Sequence, residues 1–131
     1  MKNVILYLHQ LPQNILGLIV IIVTGAFKSK DGRYWVTGKG GFGVSLGNYI
    51  IFGDMNGRYE PTEKSINHEQ GHQKQSLYFG WLYLLVVGLP SITRNIWDRL
   101  VHKNWPYDKR MKWYYGSFPE KQADIYGGVT R

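Results

Sequence analysis

Residues 63–79 read Glu63-Lys64-Ser65-Ile66-Asn67-His68-Glu69-Gln70-Gly71-His72-Gln73-Lys74-Gln75-Ser76-Leu77-Tyr78-Phe79, and whether this stretch is a helix decides the fold. A breaker-rich segment at 57–62 precedes it, and the Thr62 hydroxyl can cap the first helical amides, so a helix is predicted from Glu63 to about Phe79. Inside it, His68-Glu69-Gln70-Gly71-His72 spells H-E-x-x-H. At 3.6 residues per turn the two imidazoles return to within about 40° of each other, so both can face one ion. Glu69 projects beside them, where a carboxylate can take a proton from water that the ion has acidified and later pass it to a leaving amine. The plainer reading is that two of the chain's 4 histidines fell at helical spacing by accident.

Composition narrows the chemistry around that helix. With no cysteine, thiolate metal sites, disulfides and a cysteine nucleophile are excluded, so a transition metal must be held by His, carboxylate and water. Zinc is inferred from this ligand type. At 131 residues and 44% hydrophobic, with 10 Tyr, 5 Trp and 5 Phe, the chain suits a single domain over 1–131 with a real core.

Upstream of the helix, residues 33–37 and 45–52 carry strand patterns around the glycine-rich 38–43, and a β-hairpin is predicted. The glycine run lacks the lysine and Ser/Thr of a phosphate loop, so turn chemistry is the better account. The first 30 residues are largely apolar, and 15–27 is apolar apart from Gly17, Thr24 and Gly25. That run is short for a membrane span and fits a core helix, a membrane-contacting helix or a signal segment.

Downstream, 81–87 continues apolar, Gly88-Leu89-Pro90 reads as an interruption, and Ser91 is placed to cap a helix to about His102. Trp105-Pro106 marks a loop, and a short helix opening at Ser117-Phe118-Pro119-Glu120 should stop at Gly127-Gly128. The net charge of +7 concentrates here, where Arg94, Arg99, Lys103, Lys109, Arg110 and Lys112 interleave with Trp and Tyr. Such a stretch can contact a membrane surface. It carries no signature of a nucleic-acid module, so nucleic acid is not the expected partner.

A third ligand is sought because catalytic zinc usually has three from protein and one open position. The metzincin extension is absent, since its places hold Gln75 and Tyr78. Glu120-Lys121-Gln122-Ala123-Asp124 instead resembles the E-x-x-A-D of gluzincins, and the chain is similar to the HExxH…ExxAD zinc metallopeptidases over residues 63–79 and 117–128. The resemblance implies His68, His72 and Glu120 as ligands, Glu69 as base, and Asp124 as the carboxylate orienting an imidazole. It also implies an oxyanion donor, for which Tyr114, Tyr115 and Tyr126 are candidates. The competing local reading makes Ser117 and Glu120 a capping box. His9 and His102 are the remaining histidines, His102 being the reserve ligand.

Together these readings predict an α+β, minimal zincin-like domain: a small antiparallel hairpin, the H-E-x-x-H helix and further helices. The resemblance implies zinc-dependent hydrolysis of a peptide or protein substrate, with the strand at 45–52 holding an extended peptide. The alternative is a catalytically inactive zinc protein that associates with a membrane or a partner. Location stays open between cytoplasm and membrane.

Overall fold

The computed structural model describes residues 2–28, 32–37, 42–54 and 63–131. It is an α+β fold of six α-helices and a four-stranded mixed sheet among the described residues. Helices α1 (Lys2–His9) and α2 (Leu11–Thr24) come first, meeting at 87°. Strands β1 (Phe27–Lys28), β2 (Tyr34–Thr37), β3 (Phe42–Leu46) and β4 (Tyr49–Asp54) then build a sheet ordered β1-β2-β4-β3.

The predicted hairpin is corrected here. The stretch 45–52 is not one strand: it folds back at Gly47-Asn48, with Leu46 opposite Tyr49, so β3 and β4 form the antiparallel pair. Gly47 sits at φ 66°, where an L side chain is strained, and Asn14 of α2 fills the space a Cβ would need. The Asn48 amide donates to Asn14 Oδ1 at 2.7 Å, which fastens this turn to α2. Strand β2 instead lies parallel to β4, with Tyr34 opposite Ile51 and Trp35 opposite Phe52. The edge is therefore β3, while Tyr49 to Phe52 lie inside the sheet. Residues 38–41 of the predicted turn and the proposed Thr62 cap lie outside the described residues.

Helix α3 (Glu63–Phe79) has the predicted bounds. The chain then turns through a 3₁₀ segment, Gly80–Leu82, made possible by Gly80 at φ 56° packed on the His9 ring. Beyond Tyr83, a π-helical turn, Leu84–Gly88, runs without interruption into α4 (Leu89–Val101). The predicted break at Gly88-Leu89-Pro90 is thus a widened turn just before Pro90, which has no N–H to give the preceding turn and whose ring crowds the carbonyl four residues back. Ser91 is inside α4 and caps nothing. Two short helices finish the fold, α5 (Tyr107–Tyr114), which the sequence reading did not anticipate, and α6 (Glu120–Gly127), closed by Gly128 in the left-handed region.

The apolar core is small, with Val36, Leu46 and Ile51 at its centre and Val20, Ile21 and Leu84 packed against it. The rest of the interior is largely polar. Gln13 Nε2 donates to Ser76 Oγ at 2.8 Å and to the Gly80 carbonyl at 2.9 Å, and Ser76 donates to Gln10 Oε1 at 2.6 Å. This network joins α2 and the residue before it to α3 and the turn that follows it through directional bonds.

The basic aromatic stretch is partly internal. Arg94 lies over the Trp113 ring and donates to the Trp113 carbonyl at 2.7 Å, Lys109 lies over Trp105, and Arg110 bonds Asp98 at 2.7 Å. The Arg110 guanidinium, with help from His102, holds the buried Asp98 carboxyl below its ordinary value despite the opposing effect of burial. A depressed folded-state value means the stabilisation is complete above the unfolded carboxyl's value near ~4 and is lost as pH falls through the folded one. Urea unfolding of wild type and Asp98→Asn should therefore differ by about 2 kcal/mol at neutral pH. That gap should close on acidification.

Candidate metal centre

Helix α3 turns His68, Glu69, Gly71, His72, Gln75 and Ser76 inward as one face. That face meets α6, and the approach is close because two glycines permit it. A Cβ on Gly71 would overlap the Ala123 carbonyl, and one on Gly127 would overlap the Asn67 carbonyl. Backbone-to-backbone contact at both ends of the crossing is what brings a carboxylate of α6 onto the histidines.

Glu120 Oε2 lies 2.9 Å from His68 Nε2 and 3.1 Å from His72 Nε2, and the two Nε2 atoms are 3.1 Å apart. All three residues are buried. Each imidazole has its other nitrogen engaged: His68 Nδ1 with Asp124 Oδ1 at 2.7 Å, and His72 Nδ1 with Gln75 Oε1 at 2.7 Å. Gln75 is oriented in turn, because its amide nitrogen donates to the Pro119 carbonyl and to Gln122 Oε1, both at 3.0 Å. The Nδ1 positions therefore carry hydrogens and both Nε2 atoms converge on one point, the arrangement by which outer partners fix a ligating histidine.

Electrostatics match this geometry. Burial alone would lower the affinity of His72 for a proton, but Glu120 and Glu69 outweigh it and push the value up to about 9. Burial alone would raise the Glu120 carboxyl, yet hydrogen bonds from His68 and His72 hold it far below the usual carboxylate range. Both shifts run in the direction of an ion pair between His72 and Glu120, whose facing atoms are 3.1 Å apart. Glu69 stands beside this group, and burial raises its carboxyl while His72 and His68 oppose the shift. Its Oε2 is buried with no hydrogen-bond partner among the described residues.

An unpaired buried carboxylate oxygen is costly unless something supplies a proton or a positive charge. Two imidazole Nε2 atoms and one carboxylate oxygen are donors of the kind a divalent metal takes, and the unpartnered Glu69 oxygen lies beside them. His68, His72 and Glu120 are the group that could hold such an ion.

The other candidates divide. Asp124 bonds His68 Nδ1, and Arg131 grips it through Nε at 2.6 Å and Nη2 at 3.1 Å. The Arg131 guanidinium also lies 3.4 Å over the Tyr115 ring, which meets His68 edge-on at 5.1 Å. Burial raises the Tyr115 hydroxyl to about 12 and the Tyr114 hydroxyl higher still. Both tyrosines feel the Glu120 charge, while the Tyr126 carbonyl accepts from Lys74 Nζ at 2.7 Å. His102, the reserve ligand, stands outside the group, bonded to Asp98 and stacked on Trp105. The capping-box reading of Glu120 is not realised: α6 has no side-chain cap, and the second Glu120 oxygen accepts from the Ser91 hydroxyl.

Ser91, Gln75 and Arg131 were not anticipated from sequence. Gln75 had a usable signal, since it lies three residues after His72 on the same face. Ser91 and Arg131 had none.

No protein-family model matches this chain, and neither a curated protein nor a solved structure matches it.

Proposed function

We propose that this protein is a zinc-dependent metallopeptidase of zincin-like design, with His68, His72 and Glu120 as ligands and Glu69 as the catalytic base. The observation that carries the reading is the convergence of two Nε2 atoms and one carboxylate oxygen beside a buried carboxylate, Glu69, that has an unpaired oxygen. When bound, zinc supplies a Lewis acid that acidifies water and polarises a carbonyl. Glu69 takes the proton from the attacking water as it adds to the scissile carbonyl carbon. It delivers that proton to the nitrogen of the leaving amine as the C–N bond breaks. Asp124 and Gln75 keep both imidazoles in the tautomer that turns Nε2 toward the site.

Substrate placement is supported by the sheet edge. An ideal Cβ on Gly43 of β3 would stand 3.1 Å from Glu69 Oε1, so the edge strand passes directly over the base. The Tyr83 hydroxyl donates to the Ser45 carbonyl at 2.9 Å, which leaves the Phe42–Val44 portion of β3 as the stretch where an extended peptide would pair. A side chain at position 43 would occupy the space in front of Glu69.

Only three ligand-type side chains converge among the described residues, which favours a catalytic site with an open position over a closed structural one. Elemental analysis of wild type, His72→Ala and Glu120→Ala, purified alike without a histidine tag, tests the ligand set. One zinc per wild-type chain, lost or strongly weakened in both variants, is the expected result. A folded wild type that takes up no divalent metal would overturn the reading.

A further inference from the structure

Helix α2 is turned against its own amphipathicity. Its polar residues Gln13 and Asn14 are fully buried, while Ile22 and Val23 are 76% and 78% exposed. The orientation is fixed, because Asn14 Nδ2 donates to the Tyr7 carbonyl at 3.0 Å and its Oδ1 accepts from the Asn48 amide, while Gln13 is tied into α3 and Gly80. Helix α4 repeats the pattern. Asp98 and the His102 that follows are buried, and Ser91 reaches inward to Glu120. Leu89, Ile92, Ile96 and Leu100, spaced along one stripe, are all more than half exposed.

The elements that carry these faces adjoin through the turn between them, where Gln13 of α2 bonds the Gly80 carbonyl. The Trp81 indole donates to the Leu8 carbonyl at 2.8 Å, and His9 Nε2 donates to the Leu77 carbonyl at 2.8 Å, so the end of α1 adjoins the turn that leads into α4. Exposed Trp81, Leu82 and Leu85 lie on that turn. An apolar surface running across four elements exceeds what water-soluble monomers usually expose.

We propose that this face, formed by α1, α2, the 81–85 turn and α4, is seated in one leaflet of a lipid bilayer with an anionic headgroup surface. Among the described residues no single helix is long and apolar enough to cross a membrane, and the two helix pairs that reach that length together bend by 87° and 119°. Bent apolar elements of this length lie in a leaflet with their polar side toward the protein. The charge fits the same occupant: Arg99 in the last turn of α4, Lys103 just beyond it and Lys112 of α5 are exposed and carry no ion pair among the described residues, on a chain of net charge +7. Exposed Trp97 sits in the same stretch, and indoles favour the headgroup boundary. A second copy of this chain would set like charges against each other along that border, which disfavours a homodimer as the occupant.

The test is flotation of the full chain with vesicles of phosphatidylcholine alone and of phosphatidylcholine mixed with phosphatidylglycerol. Wild type should float with both, more strongly with the anionic mixture. Leu85→Ser/Ile92→Ser/Ile96→Ser/Leu100→Ser should stay at the bottom of the gradient with unchanged far-UV dichroism. If that variant does not fold, Arg99→Gln/Lys103→Gln/Lys112→Gln carries the test. Its binding to anionic vesicles should weaken about 100-fold, with little change on neutral ones. Wild type that remains unbound to both vesicle types, or that forms a lipid-free dimer indifferent to vesicles, would overturn the proposal. So would a serine variant that folds and floats like wild type.

Discussion

Glu69→Gln should retain one zinc per chain and lose peptide hydrolysis by about 10²- to 10⁴-fold. The carboxylate is not among the three converging ligand atoms, so its removal leaves the donor set intact. What disappears is a proton acceptor next to that set, since the amide cannot take a proton at neutral pH. The substitution is nearly isosteric, which suits a buried side chain flanked by Gly43 and the two histidines. The measurement pairs zinc stoichiometry with the initial rate of cleavage of a quenched peptide library. Equal rates in wild type and Glu69→Gln, at equal zinc content, would remove Glu69 from the mechanism. A parallel loss of zinc would instead assign it to the ligand set.

Gly71→Ala should be the most damaging glycine-to-alanine change among the described residues. The added Cβ would overlap the Ala123 carbonyl, a backbone atom that cannot swing aside, so α3 and α6 must separate. Overpacking of this kind costs on the order of 3 kcal/mol, and separation also withdraws Glu120 from His68 and His72. Urea unfolding should show the destabilisation and elemental analysis a fall in bound zinc. Gly88→Ala is the control. Its Cβ meets nothing nearer than Leu84 Cδ2 at 3.5 Å and its φ is −61°, so helix propensity should leave stability unchanged or raise it by up to about 1 kcal/mol. Equal loss in both variants would contradict the close-crossing argument.

What was legible in the sequence was local. The bounds of α3, the facing of His68 and His72, and the stop of α6 at Gly127-Gly128 depend on periodicity and caps a few residues away. Glu120 and Asp124 were found through their resemblance to a spaced motif, and the structure places both against His68. Strand pairing is non-local and was misjudged, although Gly47-Asn48 is itself a two-residue turn signature that subdivides 45–52. Ser91 looked like a cap because Pro90 looked like a break. A π-helical turn absorbs the proline, and the freed hydroxyl serves Glu120 instead. The apolar run at 15–27 was ambiguous for a physical reason: its hydrophobicity says that one side of the helix avoids water, not which side meets the protein.

The polar interior reverses the usual rules of substitution. In most domains the exterior is the part that can be rewritten, and any aliphatic residue of suitable volume serves the interior. Here Gln10, Gln13, Asn14 and Ser76 are specified atom by atom, because each bond joining α1, α2 and α3 needs a donor or acceptor at one place. On the proposed lipid seating the outer Leu, Ile and Val need only be oily, so they can drift freely among aliphatic identities. An engineer testing the proposed lipid seating would accordingly recode that outer layer and leave the buried amides and hydroxyls alone.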